Sequence, residues 1–490
     1  MWKEKSKERL ERYKGILKDS PLFFEAAQEA KQAEAALKAA AWDKKKEYTD
    51  DETAADVSYY CLAPALCSYV LWVLDRAMES GVKRLYFLAR DAYFMYRTAK
   101  MFCSAFNFPV DCRYLSCSRY SVRIPMYHLD LDEALGYICR GGIDVTTAKI
   151  LNRAGLSKKE REEVFAGLRA GGFSYGPDDP VPYAELENIK KILKECPLFV
   201  GYLTENSKKA MPLLEGYLKQ EGLSDDVPMA LVDSGWVGSM QKVLNRALDY
   251  IKEKQPGETK KTAPLEGYYW GLYELPEGVD PESYHCYYFS PGYNIVQKIY
   301  FSNCLFEAVF SAPHGMTMGY SKENGRYFPV YGEIPKAQKA FMEENDMRFC
   351  AFADKFILKA KENFSGGAFS GREASRNMET VYRLLRCFMG NPCLREAEVF
   401  GRLHFSDDVL DYKSQELAAD LSEEELTANH AVNKILSMLG IKRGFLRESA
   451  WYEASAVLGQ KNVRRHLRGY AGYKRLLYMR KQRQWRKIYG

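Results

Sequence analysis

Two stretches of this chain share one design, and together they restrict its fold more than any other feature. Lys83–Met101 reads KRLYFLARDAYFMYRTAKM and Pro228–Leu248 reads PMALVDSGWVGSMQKVLNRAL. Each opens on a short apolar run, Leu85–Ala89 or Met229–Val232, ends that run in a polar cluster, and passes at once into a periodic helix. Four or five apolar residues are too few for a buried helix and suit a strand buried on both faces of a parallel sheet. A polar turn between such a strand and a helix places its side chains at the strand's carboxyl end, where open α/β sheets hold ligands. The spacing therefore predicts an α/β fold with a largely parallel central sheet.

The rest of the chain is helical around that sheet. Residues 1–55 are rich in Ala, Lys and Glu and form an N-terminal helical segment with a polar break at Tyr48–Glu52. Residues 56–130 read as the first half of the α/β core: a buried helix ended by Ser80-Gly81, the strand 85–89, a helix over 92–104, and a second strand near Cys112–Ser116. Strand, helix, strand at this length is a parallel crossover. Residues 131–226 interrupt the pattern as a helical insertion or cap, with helices over 131–140, 146–153 and 189–218 and a Ser157/Glu160 capping box. Residues 227–330 resume the core, with strands at Met229–Val232, Gly267–Tyr273 and Cys286–Phe289 and a helix over Tyr300–Phe310. Residues 331–440 form a helical domain, broken at Ser365–Gly371 and Gly390–Pro392, and 441–490 a basic tail of short helices.

With 490 residues, 47% hydrophobic and 28% charged, the chain reads as a soluble protein with room for a sizeable core. The net charge of +6 is too small to imply nucleic acid, and none is expected as a partner. Its distribution says more: Arg464–Gly490 contains no Asp or Glu, and its basic residues alternate with Tyr, Leu, Met and Trp. Such a segment suits an anionic membrane surface or docking on a glycosyltransferase, and it also suits a solvated helix. The twelve cysteines include no C-x-x-C pair and read as reduced thiols. The first residues carry charge without an apolar core of the kind a secretory leader needs. Ser58–Leu74 is the one stretch that invites a membrane span, but it is short, contains Pro64 and runs on toward the first strand, so a buried helix is expected. The expected location is cytoplasmic, with membrane association through the tail.

Chemistry concentrates at the two polar turns. Asp233, Ser234, Gly235, Trp236, Gly238 and Ser239 follow an apolar strand and precede a helix, so the amides of 238–241 are expected to seat an anion. Asp233 either positions a ligand or caps that helix. Arg90 and Asp91 stand at the end of the other strand, and Ser118-Arg119 repeats the arrangement at the next. Two arginines on one rim suit phosphate. Glu307, in the apolar context LFEAVF, is a candidate base with a raised pKa or one half of a buried ion pair. His314, in PHG, is a candidate ligand contact. No metal-ligand cluster is legible; Mg²⁺ is the one cofactor considered, held by Asp233.

The ordered pieces YFLARDAYFM, CSR, LVDSGWVGSMQ, FEAVFSAPHGMTMGY and CFMGNPCLREAEVFGRLHFSDD, spanning roughly residues 58–410, resemble a region of predicted bacterial hydrolases encoded with polysaccharide-assembly genes. In that family the region follows a haloacid-dehalogenase-like domain. The matching positions are Arg90, Asp91, Arg119, Asp233, Gly235, Trp236, Gly238, Glu307, Pro313 and Gly315. The resemblance implies a cytoplasmic role in cell-surface glycan assembly. A dehalogenase-type phosphatase also needs a second acid two residues beyond its nucleophilic Asp. Tyr93 and Gly235 stand at those positions here. A layout resemblance to phosphoribosyltransferases rests on LVDSGWVGSM, with Ser234 in place of a second acid. The expected function is therefore binding of a phosphorylated sugar or sugar nucleotide, with Asp233, Asp91 and Glu307 as catalytic candidates for a transferase. A phosphate-ester hydrolase and a phosphoribosyltransferase-like scaffold or membrane-surface adaptor are the alternatives.

Overall fold

The computed structural model describes residues 2–41, 49–141, 145–254, 264–363, 377–405, 415–438 and 447–489. Strands β1 (Arg84–Leu88), β2 (Asp111–Leu115), β3 (Met229–Trp236), β4 (Glu266–Leu272) and β5 (Tyr284–Phe289) form one five-stranded sheet in the order 2-1-3-4-5. Every neighbouring pair is parallel, as expected. β1 pairs with β2 on one side and β3 on the other, and all five of its residues are buried. That position explains its unbroken apolar text. Strand order reverses across the β1/β3 gap, which makes their carboxyl ends the topological switch point of the sheet.

The helices, in chain order, are α1 (Ser6–Leu17), α2 (Pro21–Ala41), α3 (Asp50–Val57), α4 (Ala63–Glu79), α5 (Tyr93–Phe106), α6 (Arg119–Arg123), α7 (Leu131–Ile138), α8 (Thr147–Arg153), α9 (Lys158–Ala170), α10 (Leu186–Glu195), α11 (Pro197–Gln220), α12 (Ser239–Glu253), α13 (Asn303–Phe310) and α14 (Lys336–Asn363). One face of the sheet is covered by α4 and α5, backed by α1, α2, α14 and the Met378–Phe388 helix in a single apolar core. Phe23 of α2 packs at 5.2 Å from the ring of Phe356 in α14. The other face is covered by α11 and α12, whose Leu214, Leu218, Leu244 and Leu248 meet Leu115 and Leu231. Residues 120–203 hold a separate small core.

From Asp50 to Glu79 the chain is one continuous helix, within which an 18-residue window has a mean hydropathy of 1.6 and is entirely buried in the protein. Pro64 is accommodated because a π turn at Ser58–Leu62 precedes it. A wider turn shifts the hydrogen-bond register where proline has no N–H to give.

Several elements differ from the sequence reading. The 189–218 helix is two, divided at Cys196-Pro197, with proline at the first position of α11. Tyr300–Phe310 is a 3₁₀ turn over Ile295–Tyr300 followed by α13, which Ser302 caps by accepting from the Leu305 amide at 3.2 Å. An antiparallel hairpin, β6 (Thr317–Glu323) and β7 (Arg326–Tyr331), was not foreseen. Its turn is Asn324-Gly325, both at positive φ (48° and 81°), the favoured two-residue hairpin turn. The basic tail, expected as a set of short helices, holds one short helix, Tyr452–Leu458, and one of 27 residues, Val463–Tyr489. The expected break at Ser365–Gly371 lies outside the described residues.

Candidate functional site

The site grows from the carboxyl ends of β1 and β3. Asp91, just beyond Leu88 at the end of β1, accepts a hydrogen bond from Ser234 Oγ on Oδ2 at 2.7 Å and from Ser311 Oγ on Oδ1 at 3.2 Å. Both hydroxyls are buried, with Ser234 at 3% exposure and Ser311 at 4%. The Ala312 amide donates to the Arg90 carbonyl at 3.1 Å. Three distant segments thus close around one carboxylate.

β3 runs four residues past its apolar text. Asp233, Gly235 and Trp236 pair in register with Tyr269, Gly271 and Leu272 of β4. Asp233 is therefore a strand residue, and the expectation that it caps a helix does not hold. Gly235 sits at φ 105°, and a Cβ there would stand 2.7 Å from the Gly271 carbonyl oxygen, so only glycine fits. Trp236 follows at φ 71°, an uncommon conformation for a bulky residue. In it the indole Nε1 donates to Glu307 Oε1 at 2.5 Å. The same ring packs against Phe301 and Phe306, both at 5.5 Å.

These surroundings shift the acids away from ordinary carboxylates. Burial, with the nearby charge of Asp91, raises the Asp233 pKa to about 7 against the opposing Ser234 and Gly235 amides and Arg119. Taken over all its atoms, Asp233 is half-buried. Burial also raises Glu307, again with Asp91 adding to the effect; the Trp236 indole, Arg119 and Arg90 act against it. Two acids of raised pKa thus stand beside a third carboxylate and two guanidinium groups.

Of the predicted site residues, the structure brings Arg90, Asp91, Arg119, Asp233, Ser234, Gly235, Trp236 and Glu307 together. Gly238 and Ser239 lie elsewhere. Gly238 is buried against Tyr284 and Leu272, and Gln241, 0% exposed, donates to the carbonyls of Leu265 and Ser283. The first turn of α12 therefore faces β4 and β5, and among the described residues no contact joins it to the carboxylates. His314 is close to Arg90, whose charge acts on it, but both ring nitrogens are engaged. Nδ1 donates to the Gly315 carbonyl and Nε2 accepts from the Tyr114 hydroxyl, each at 2.8 Å. Burial holds its pKa below the usual histidine range, so it serves as a neutral wall of the site.

Three further residues belong here that the sequence reading passed over. Tyr273 directly follows β4, and its amide donates to the Trp236 carbonyl at 3.0 Å. Burial raises its phenol pKa, with Glu274 next; Arg140, Glu307 and Arg119 all act on it too. Arg140 comes from the helical insertion, just past α7, and its backbone carbonyl accepts a 2.5 Å bond from Arg153. Lys298, 5% exposed, has its Nζ 5.5–5.9 Å from the ring centres of Phe301, Tyr478, Tyr273 and Phe289 and donates to the Phe301 carbonyl at 3.2 Å. Burial, together with the charge of Lys474, lowers its pKa to about 7. Lysine within the apolar text NIVQKIYFS was the available signal.

Among the described residues no group of three or more His, Cys, Asp or Glu is placed to hold a metal ion. Asp91 and Asp233, on neighbouring strand ends, are the pair that would share Mg²⁺ with a ligand phosphate. Surface cavities open beside Trp2 and Arg465 and beside Arg12 and Arg386, and another lies beside Arg123 and Arg246, where the charges of Arg119 and Arg140 act on Arg123. No protein-family model matches this chain, and no curated protein matches it.

Proposed function

We propose that the strand-end cleft binds a phosphorylated sugar or sugar nucleotide and transfers its glycosyl or phosphoryl group in cell-surface polysaccharide assembly. The observation that carries this reading is the pairing, at the switch point of the sheet, of Arg90 and Arg119 with acids of raised pKa. Guanidinium groups match phosphate oxygens bidentately. Asp233, half ionised near neutral pH, is suited to accept a proton from an acceptor hydroxyl as the leaving phosphate departs. Asp91, fixed by two serine hydroxyls, orients the ligand. Arg140 extends the basic rim from the insertion, which then acts as a cap over the reacting groups. The polysaccharide context rests on the resemblance of the R-D-x-Y and D-x-G-W-x-G-S runs.

A dehalogenase-type hydrolase is the weaker reading, because the position two beyond Asp91 holds Tyr93, packed at 5.4 Å from the rings of Phe94 and Tyr114. Thermal unfolding of the purified chain with glucose 1-phosphate, UDP-glucose and phosphoribosyl pyrophosphate tests the proposal. At least one should raise Tm, and Arg90→Ala or Arg119→Ala should abolish the rise. A flat response to the whole series removes the reading.

A further inference from the structure

The Val463–Tyr489 helix divides its residues between two faces. At 27 residues it is about 40 Å long. One face is docked on the protein: Tyr470 stacks on Tyr452 at 4.0 Å, Lys474 pairs with Glu453 at 2.7 Å, and Lys481 pairs with Glu274 at 2.5 Å. Tyr478 is buried beside Tyr273, and the Trp485 ring lies so close to Gly292 that a Cβ there would meet it at 2.9 Å. The opposite face is exposed and follows the helical period: Arg468, Arg475, Met479 and Arg486 form one row, with Leu476 and Arg483 beside it. Leu476 is 53% exposed and Met479 41%. From Arg464 to Gly490 there is no acidic residue to offset this charge. Among the described residues, the carboxylates that reach the helix pair with its inner face or its first turn.

We propose that this exposed face is a docking surface for an anionic lipid bilayer, with the arginines on the headgroups and Leu476 and Met479 in the interface. Charge complementarity selects a polyanion. Two features select a bilayer among polyanions. Apolar side chains stand within the basic row, where an interfacial helix needs them. None of the helix's aromatic rings is fully exposed: Tyr470, Tyr478 and Trp485 pack inward and Tyr473 and Tyr489 are partly buried beside them, whereas single-stranded nucleic acid is held largely by exposed aromatic platforms. Because Tyr478 packs on Tyr273 at the end of β4, docking would bring the strand-end cleft beside the membrane. The proposal does not depend on which ligand that cleft binds.

Flotation of the full chain with vesicles tests it. Protein should float with phosphatidylcholine vesicles containing phosphatidylglycerol, stay unbound with phosphatidylcholine alone, and release as salt is raised. The exposed triple variant Arg475→Ala/Arg483→Ala/Arg486→Ala should keep its Tm and lose about tenfold or more in binding. Leu476→Ser/Met479→Ser should weaken binding without removing the charge. Retention of full binding by both variants overturns the proposal, as does equal flotation with neutral vesicles. Failure to float with anionic vesicles overturns it too, and would leave the face to a protein partner. Tighter binding to a labelled single-stranded RNA than to anionic vesicles would assign the face to nucleic acid instead.

Discussion

At the scale of single residues, the site is a contest between burial and charge. Asp233 has a folded pKa of about 7 against an ordinary 3.8. The folded state therefore holds its proton more tightly than the unfolded chain does. Its stability contribution is complete below pH 3.8 and is lost as pH climbs through 7. Asp233→Asn should thus match the parent protein in stability at pH 4 and exceed it at pH 8 by about 1–2 kcal/mol, while losing turnover. Urea unfolding at the two pH values measures this, and an unchanged difference between them would refute the assignment. Turnover of the parent should rise from pH 6 to pH 8 as the carboxylate ionises. Little of this was legible beforehand. LFEAVF announced an acid in apolar surroundings, but only the fold supplied the Trp236 indole that holds Glu307 and the neighbouring Asp91 that raises it.

Local chemistry carries more weight at the scale of elements. The capping box at Ser157/Glu160 formed as read, because a cap depends on residues three apart and on nothing beyond them. The Asn324-Gly325 hairpin was equally local and was overlooked, since its strands carry no strict alternation of polar and apolar residues. Helix α6, only five residues long, depends on Ser118. Its Oγ accepts from the Ser121 amide at 3.0 Å and donates to the Thr317 carbonyl at 2.6 Å. Ser118→Ala should cost about 1–2 kcal/mol of stability. It should also weaken phosphate binding, because Arg119 is the first residue of that helix. A variant with normal ligand affinity would show that α6 does not set the arginine's position.

For the molecule as a whole, the flanking helices are joined to the core by buried ion pairs as well as by apolar contact. Arg9 of α1, 2% exposed, donates through Nε to Glu396 Oε1 at 2.9 Å, and the Tyr13 hydroxyl donates to the same oxygen. Glu396 is itself 1% exposed. Arg9→Ala would strand that carboxylate and should cost about 3–5 kcal/mol. Arg9→Met/Glu396→Leu should recover most of the loss. Denaturant unfolding of the two variants separates an ion pair that holds the N-terminal helices from one that merely fills space.

The sequence by itself determined the two strand–turn–helix units, the parallel sheet, the buried α4 and the polar turns at the strand ends. Each follows from periodicity, capping or composition within a dozen or so residues. Tertiary structure decided which of those turns share a site. Ser234 and Ser311 reach Asp91 across 143 and 220 residues of chain, and Arg140 arrives from an insertion with a core of its own. Such meetings depend on strand order and on where β3 stops pairing. No short-range pattern encodes either, because backbone pairing and face burial are settled only when the whole sheet assembles.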